Sequence, residues 1–230
     1  MAYVIPPAPI PVVPVYGGGQ FPVHRIYCVG RNYVEHAQEM GHSGREPPFF
    51  FTKPADAVLP VAAGETGRIA YPSQTQNFHH EIELVVALAQ GGSDIRASDA
   101  TRLIWGYGVG LDMTRRDLQA EAKKQGRPWC SGKAFDQAAP IGPLRAIAST
   151  GELTKGAITL AVNGQLRQKG DLADLIWNVG EIIEHLSALW TLAPGDLIFT
   201  GTPAGVGPVV RGDVMVGEIA GLDALRVAVA

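Results

Sequence analysis

Glu81 and Glu83 flank a single isoleucine in the run His79-His80-Glu81-Ile82-Glu83-Leu84. On an extended strand alternate side chains share a face, so the two carboxylates point the same way. Val85 and Ala87 continue that face, and Ile82, Leu84, Val86 and Leu88 line the other. A solvated edge is the ordinary setting for such a pair. The apolar continuation on both faces argues against it. Two carboxylates at the mouth of a buried strand repel each other and lose hydration, and a divalent cation offsets both costs. Asp112 offers a third carboxylate between a glycine-rich run and a helical one, although it is equally suited to cap that helix. Three carboxylates without cysteine or clustered histidine suit a hard cation such as Mg²⁺, which keeps positions open for water or substrate. His79 and His80 are adjacent and face opposite ways, so hydrogen bonds to a neighbouring loop suit them better than shared zinc.

His36 and Glu39 stand three residues apart in a helical stretch and can touch. A carboxylate beside imidazole orients it and raises its basicity, as a water-activating base requires. Surface His–Glu pairs have the same spacing. Residues 41–48, rich in Gly and Pro, read as a mobile loop suited to a lid. Lys133 lies in the mostly uncharged run 130–136, as a contact for an anion or as a surface lysine. Arg116 and Gln119, spaced i,i+3, can grip a carboxylate. The loop Gly201-Thr202-Pro203-Ala204-Gly205-Val206-Gly207 lacks the Gly-Lys-Ser/Thr of a phosphate loop and opens no helix.

The elements that must position these groups are mostly short. Strands are expected over residues 24–29, 49–52, 79–89, 105–111 and 197–200, and helices over 33–40 (capped by Asn32), 97–104 (capped by Ser98 or an earlier residue), 114–125 and 172–189. Gly106, Gly108 and Gly110 suggest a strand that another backbone approaches closely. Asn163-Gly164 between two β-prone runs is a hairpin signal. Residues 1–23 form a Pro/Gly-rich extension, extended and irregular, and residues 24–230 a single catalytic domain. Many short strands with few helices argue for a β-rich α+β fold.

The 19 basic and 22 acidic residues leave a net charge of −3, so neither nucleic acid nor a membrane surface is an expected partner. Cys28 reads as a small core residue, and two lone thiols fit a reducing compartment. With no signal-peptide pattern and no long apolar run, a soluble cytoplasmic protein is expected.

The order of the motifs is more specific than any one of them. Tyr27-Cys28-Val29-Gly30-Arg31-Asn32-Tyr33 followed by His36 resembles the lid segment of the fumarylacetoacetate hydrolase family. The Glu-x-Glu strand, Leu111-Asp112-Met113-Thr114 with Arg116-Asp117 and Gln119, Ser131-Gly132-Lys133-Ala134-Phe135-Asp136, Val162-Asn163-Gly164, and residues 192–207 resemble successive family motifs. The resemblance implies a mixed β-sandwich roll, a homodimer, and Mg²⁺ or Mn²⁺ on Glu81, Glu83 and Asp112. It implies His36, Glu39 and Lys133 as catalytic groups, and Arg31, Arg116, Gln119 and Thr202 as contacts to a small 2-oxo acid. Within the family the chain looks most like the small acylpyruvase and fumarylpyruvate hydrolase branch. Decarboxylation or tautomerisation of oxaloacetate on the same metal is the alternative, and a non-catalytic binding protein a remote one.

Overall fold

The computed structural model describes residues 3–33 and 45–230. The expected helix over 33–40, the lid loop to residue 44, and with them His36 and Glu39, lie outside that range apart from Tyr33 itself. The described chain is β-rich α+β, with one large mixed sheet and three smaller sheets. The large sheet runs in the order Phe49–Lys53, Ile26–Gly30, Leu197–Phe199, Ile82–Leu88, Ile104–Leu111, Ala139–Ile141, Val58–Pro60. A five-stranded sheet packs against it, in the order Gln165–Asp171, Ala157–Val162, Val214–Ile219, Leu225–Val229, Thr66–Ile69.

The large sheet is buried on both faces, which explains why its strands read as unbroken apolar runs. Along Ile82–Leu88, Ile82, Leu84, Val86 and Leu88 join the core shared with the five-stranded sheet and helix Val179–Leu189. Val85 and Ala87 face a second core with Ile26, Cys28, Leu197 and Phe199. The expected division of faces is therefore observed. Gly110 lets Ile104–Leu111 approach closely, since a Cβ there would lie 2.5 Å from Val85 Cγ2. Asn163 and Gly164 both have positive φ, 52° and 76°, and turn the hairpin between Ala157–Val162 and Gln165–Asp171.

Three expectations need correction. The lead is not wholly irregular: Val12–Pro14 and Gln20–Pro22 pair as a hairpin, and Val13 and Phe21 are buried in the second core. Residues 97–104 form a 3₁₀ helix, Ala97–Leu103, whose N-cap is Arg96 without a side-chain cap. The helix expected over 172–189 is two elements, a 3₁₀ turn Leu172–Asp174 and helix Val179–Leu189. Its apolar spacing is helical throughout, but Asn178 and Glu181 form a reciprocal capping box that starts a new helix. The helix that Asn32 was expected to cap lies outside the described residues; the buried Asn32 side chain donates to Thr200 O at 2.8 Å and to Trp177 O at 2.9 Å, and accepts from Trp177 N at 2.8 Å. None of the helices among the described residues is long and apolar enough to cross a membrane.

The capping box makes a stability prediction. Asn178 Oδ1 accepts from Glu181 N at 3.0 Å, and Asn178 N donates to Glu181 Oε2 at 3.0 Å. Asn178→Ala breaks half of this exchange and should cost about 1 kcal/mol. In a chain of this size that is a fall of roughly 2–4 °C in Tm. Thermal unfolding followed by circular dichroism checks it, and an unchanged Tm would remove the box as the reason the helix starts there.

Candidate active site

The chain changes sheet at both Glu81 and Asp112. Phe78–His80 pairs with Thr114–Arg115 in a three-stranded sheet, while Ile82–Leu88 pairs with Ile104–Leu111 in the large one. The two strands hand over together, and Asp112 N donates to Glu81 O at 2.8 Å across the step. The strand expected over 79–89 is thus broken at Glu81, and simple alternation is not what brings Glu81 to Glu83. The switch does so instead: ligand atoms of Glu81, Glu83 and Asp112 lie within 4.8 Å of one another, and all three residues are buried. Helix Arg116–Lys124 has Arg115 as its N-cap, so Asp112 is free of that duty.

Cations surround the triad. Lys133 Nζ lies 2.6 Å from Asp112 Oδ2 and 3.0 Å from Glu81 Oε2, and its side chain is buried rather than on the surface. Burial alone would lower the Lys133 ammonium, but the Asp112 and Glu81 carboxylates outweigh it and hold it above its ordinary value. Arg116 grips the Glu81 carboxylate and donates to Gln119 Oε1 at 2.6 Å. Lys53 was not foreseen. Its buried ammonium lies 2.7 Å from Asp112 Oδ1 and donates to Met113 O at 3.2 Å and to Lys133 O. It ends the aromatic strand Phe49–Lys53, expected to stop one residue earlier. The signal that could have found it is alternation, which places Lys53 on the face of Phe49 and Phe51.

Glu83 has a different environment. Its Oε2 accepts from Gly201 N at 2.7 Å, at the start of the glycine loop. Gly201 has φ of 103°, and a Cβ there would lie 2.7 Å from the Asn32 Cβ. Only glycine lets this backbone reach the carboxylate between those neighbours. Burial pushes the Glu83 carboxyl well above its usual range, and the Asp112 and Glu81 charges push it further, against the Gly201 hydrogen bond.

Arg31, Glu81, Glu83, Asp112, Arg116, Gln119, Lys133 and Thr202 line one cleft, walled by Phe49, Phe51 and Trp129. Every expected site residue within the described range is therefore brought together. Arg31 is held at φ 59°, a conformation a non-glycine residue rarely adopts, with its guanidinium 5.1 Å from the centre of the Phe49 ring. His79 meets a loop as expected, its Nε2 lying 2.7 Å from Asn77 Oδ1, but His80 meets a strand, its Nδ1 lying 2.9 Å from Oε1 of Gln168 on Gln165–Asp171. Burial, and then the Arg116 charge, lower His79 to about 4.

These features decide the relationship. The model of the fumarylacetoacetate hydrolase C-terminal domain matches residues 25–230. The chain belongs to the fumarylacetoacetate hydrolase family. It is 46% identical over 180 residues to the fumarylpyruvate hydrolase of Ralstonia sp., covering 77% of this chain and 90% of that one. It is 40% identical over 194 residues to the oxaloacetate tautomerase YcgM of Escherichia coli, covering 84% and 87%. The crystal structure of fumarylpyruvate hydrolase from Pseudomonas aeruginosa in complex with Mn2+ and pyruvate superposes with a TM-score of 0.98 at 54% identity, covering 100% of this chain and 99% of that one.

Gln168 was also unforeseen, because it lies on the otherwise exposed beginning of strand Gln165–Asp171. It is fully buried and joins four groups beneath the triad. Oε1 accepts from Ile82 N at 3.1 Å and faces His80 Nδ1, and Nε2 donates to Thr202 Oγ1 at 2.8 Å and to Pro203 O at 2.9 Å. Gln168→Leu leaves these groups buried without partners and should cost about 2–4 kcal/mol. The expected result is a lower urea midpoint with an unchanged m-value. A midpoint equal to wild type would show that the clamp contributes nothing.

Proposed function

We propose that this protein is a metal-dependent hydrolase that cleaves the C3–C4 bond of an acylpyruvate, with fumarylpyruvate giving fumarate and pyruvate. One observation carries the reading: three buried carboxylates converge in a cleft that cationic, hydrogen-bonding and aromatic side chains also line. The donor set fits Mg²⁺ or Mn²⁺, being oxygen throughout. Asp112 Oδ1 is buried and, although close to Lys53, accepts no hydrogen bond of good geometry, so it has capacity to spare. Glu81, Glu83 and Asp112 would hold the cation, which when bound supplies Lewis acidity toward the 2-oxo acid.

The chain's own residues do the rest. Arg31, Arg116, Gln119 and Thr202 hold substrate oxygens from the walls of the cleft. His36, oriented by Glu39, takes a proton from water as that water adds to the C4 carbonyl. The C3–C4 bond then breaks, C4 leaves as fumarate, and its electron pair passes to the pyruvate enolate. The Lys133 ammonium stabilises the growing negative charge from its buried position. The proton taken up by His36 passes to C3 and completes pyruvate. The reading extends to a cytoplasmic homodimer with its catalytic domain at residues 24–230 and an extension at 1–23. A second reading, oxaloacetate tautomerisation or decarboxylation, is favoured by the 40% identity to the Escherichia coli tautomerase.

Pyruvate release from a panel of acylpyruvates and oxaloacetate, with Mg²⁺ or Mn²⁺, tests both readings. Chelation with EDTA should abolish turnover and either cation should restore it; full activity in stripped protein would sink the metal assignment. Glu83→Ala should lose metal binding. His36→Ala should keep it, with kcat for acylpyruvates down by roughly 10²–10⁴-fold, and Glu39→Gln should lose less. Decarboxylation needs no attacking water, so oxaloacetate turnover that survives in His36→Ala would favour the second reading.

A further inference from the structure

The Glu81 carboxylate is shared among cations. Oε1 is taken by the Arg116 guanidinium and Oε2 by Lys133 Nζ at 3.0 Å. Asp112 is flanked by Lys133 at 2.6 Å and Lys53 at 2.7 Å. Among the described residues, two of the three carboxylates thus touch three cationic side chains, while Glu83 accepts from Gly201 N. A divalent cation on the same oxygens adds two positive charges and must share Glu81 with donors already on it.

The three cationic side chains differ in freedom to move. Lys53 is pinned by the carbonyls of Met113 and Lys133 as well as by Asp112. Lys133 is buried, whereas the Arg116 side chain is 19% exposed and lies at the cleft wall beside Gln119. Its backbone is fixed by Arg116 N donating to Asn77 O at 2.8 Å, so the side chain can turn without moving the helix.

We infer that the Arg116 guanidinium changes partner: it competes with the divalent cation for Glu81, and the bound cation hands it to the substrate's carboxylate. Cation and anion binding are therefore coupled through Arg116 beyond any direct contact between the two ligands. This rests on the metal reading above. By linkage, the factor by which the anion tightens the cation equals the factor by which the cation tightens the anion.

Isothermal titration calorimetry with Mn²⁺, in the presence and absence of saturating pyruvate, tests the coupling. Arg116→Ala should bind Mn²⁺ alone about 10-fold more tightly than wild type, because one charge-assisted competitor is gone. Its gain in Mn²⁺ affinity on adding pyruvate should be smaller than that of wild type. Arg116→Lys, which keeps the charge without the fork, should lie between the two and carries the test if the alanine variant does not fold. Arg115→Ala removes the same charge one residue away, from a side chain directed at Ser131 O and the Phe135 ring rather than Glu81, and should leave Mn²⁺ affinity near wild type. Equal or weaker Mn²⁺ binding in both Arg116 variants overturns the inference, as does equal tightening in Arg115→Ala. A wild type that binds no Mn²⁺ overturns the metal reading itself.

Discussion

Three carboxylates buried within 4.8 Å of one another are the constraint to which the rest of the molecule answers. At that separation each pair repels by about 3 kcal/mol even at an effective dielectric of about 20, and desolvation adds to the cost. No apolar packing removes such a term, whereas positive charge and hydrogen-bond donors offset it. The surroundings supply both, from four separate parts of the chain. Lys53 comes from an edge strand, Arg116 from the start of a helix, Lys133 from a short helix and the Gly201 N–H from a loop. Their convergence explains why the site cannot be built on a local motif, and why the aromatic wall of Phe49, Phe51 and Trp129 must close around it.

The sheet switch is how the fold places carboxylates at the end of an apolar strand. Within Ile82–Leu88 every residue is buried, and only Glu83 is charged. Carrying Glu81 one step further along a straight strand would leave it on the pleat, tied to that strand's ladder. Changing sheet between His80 and Ile82, opposite the same change between Leu111 and Thr114, turns both backbones at once. The loss of ladder hydrogen bonds at the step is limited by the Asp112 N to Glu81 O bond. Gln168 reaches in from the second sheet to take up the Ile82 N–H, so the bend is supported from below.

Legibility in the sequence followed the range of the interactions. The two faces of Ile82–Leu88, the Asn163-Gly164 turn and the β-rich class depend on residues near in sequence, and they could be read there. Motif order then placed Glu81, Glu83, Asp112, Arg116, Gln119, Lys133, Arg31 and Thr202 in one cleft, although each has a bland reading by itself. Lys53 and Gln168 were not read: alternation puts Lys53 on the face of Phe49 and Phe51 without showing what that face meets, and nothing local marks Gln168. Lys53 follows three phenylalanines and a threonine as an ordinary strand end would, and Gln168 lies in a run, Gln165-Leu166-Arg167-Gln168-Lys169, that looks solvated. Both owe their role to partners more than 30 residues away. The break before Val179 was legible and was overridden by periodicity: Asn178-x-x-Glu181 is a helix-start signal inside a stretch whose apolar spacing says helix.

The relatives include a fumarylpyruvate hydrolase and an oxaloacetate tautomerase at comparable identity, which follows from the physics of the site. The carboxylate triad and its cations respond to charge on a 2-oxo acid, and an enolate is common to hydrolysis, decarboxylation and tautomerisation. That part of the machinery is therefore indifferent to which bond changes. What separates the reactions is whether water is delivered to the carbonyl on the far side of the enolate, and a base does that. The triad is fixed by long-range packing of strands that cannot vary without losing the core. The base proposed above, His36, stands in the sequence between Tyr33 and Arg45, and the strands Ile26–Gly30 and Phe49–Lys53 flank that stretch of sequence. On that proposal the charge site belongs to the sheet and the base to the sequence between two of its strands, so the reaction would change with those connecting residues alone.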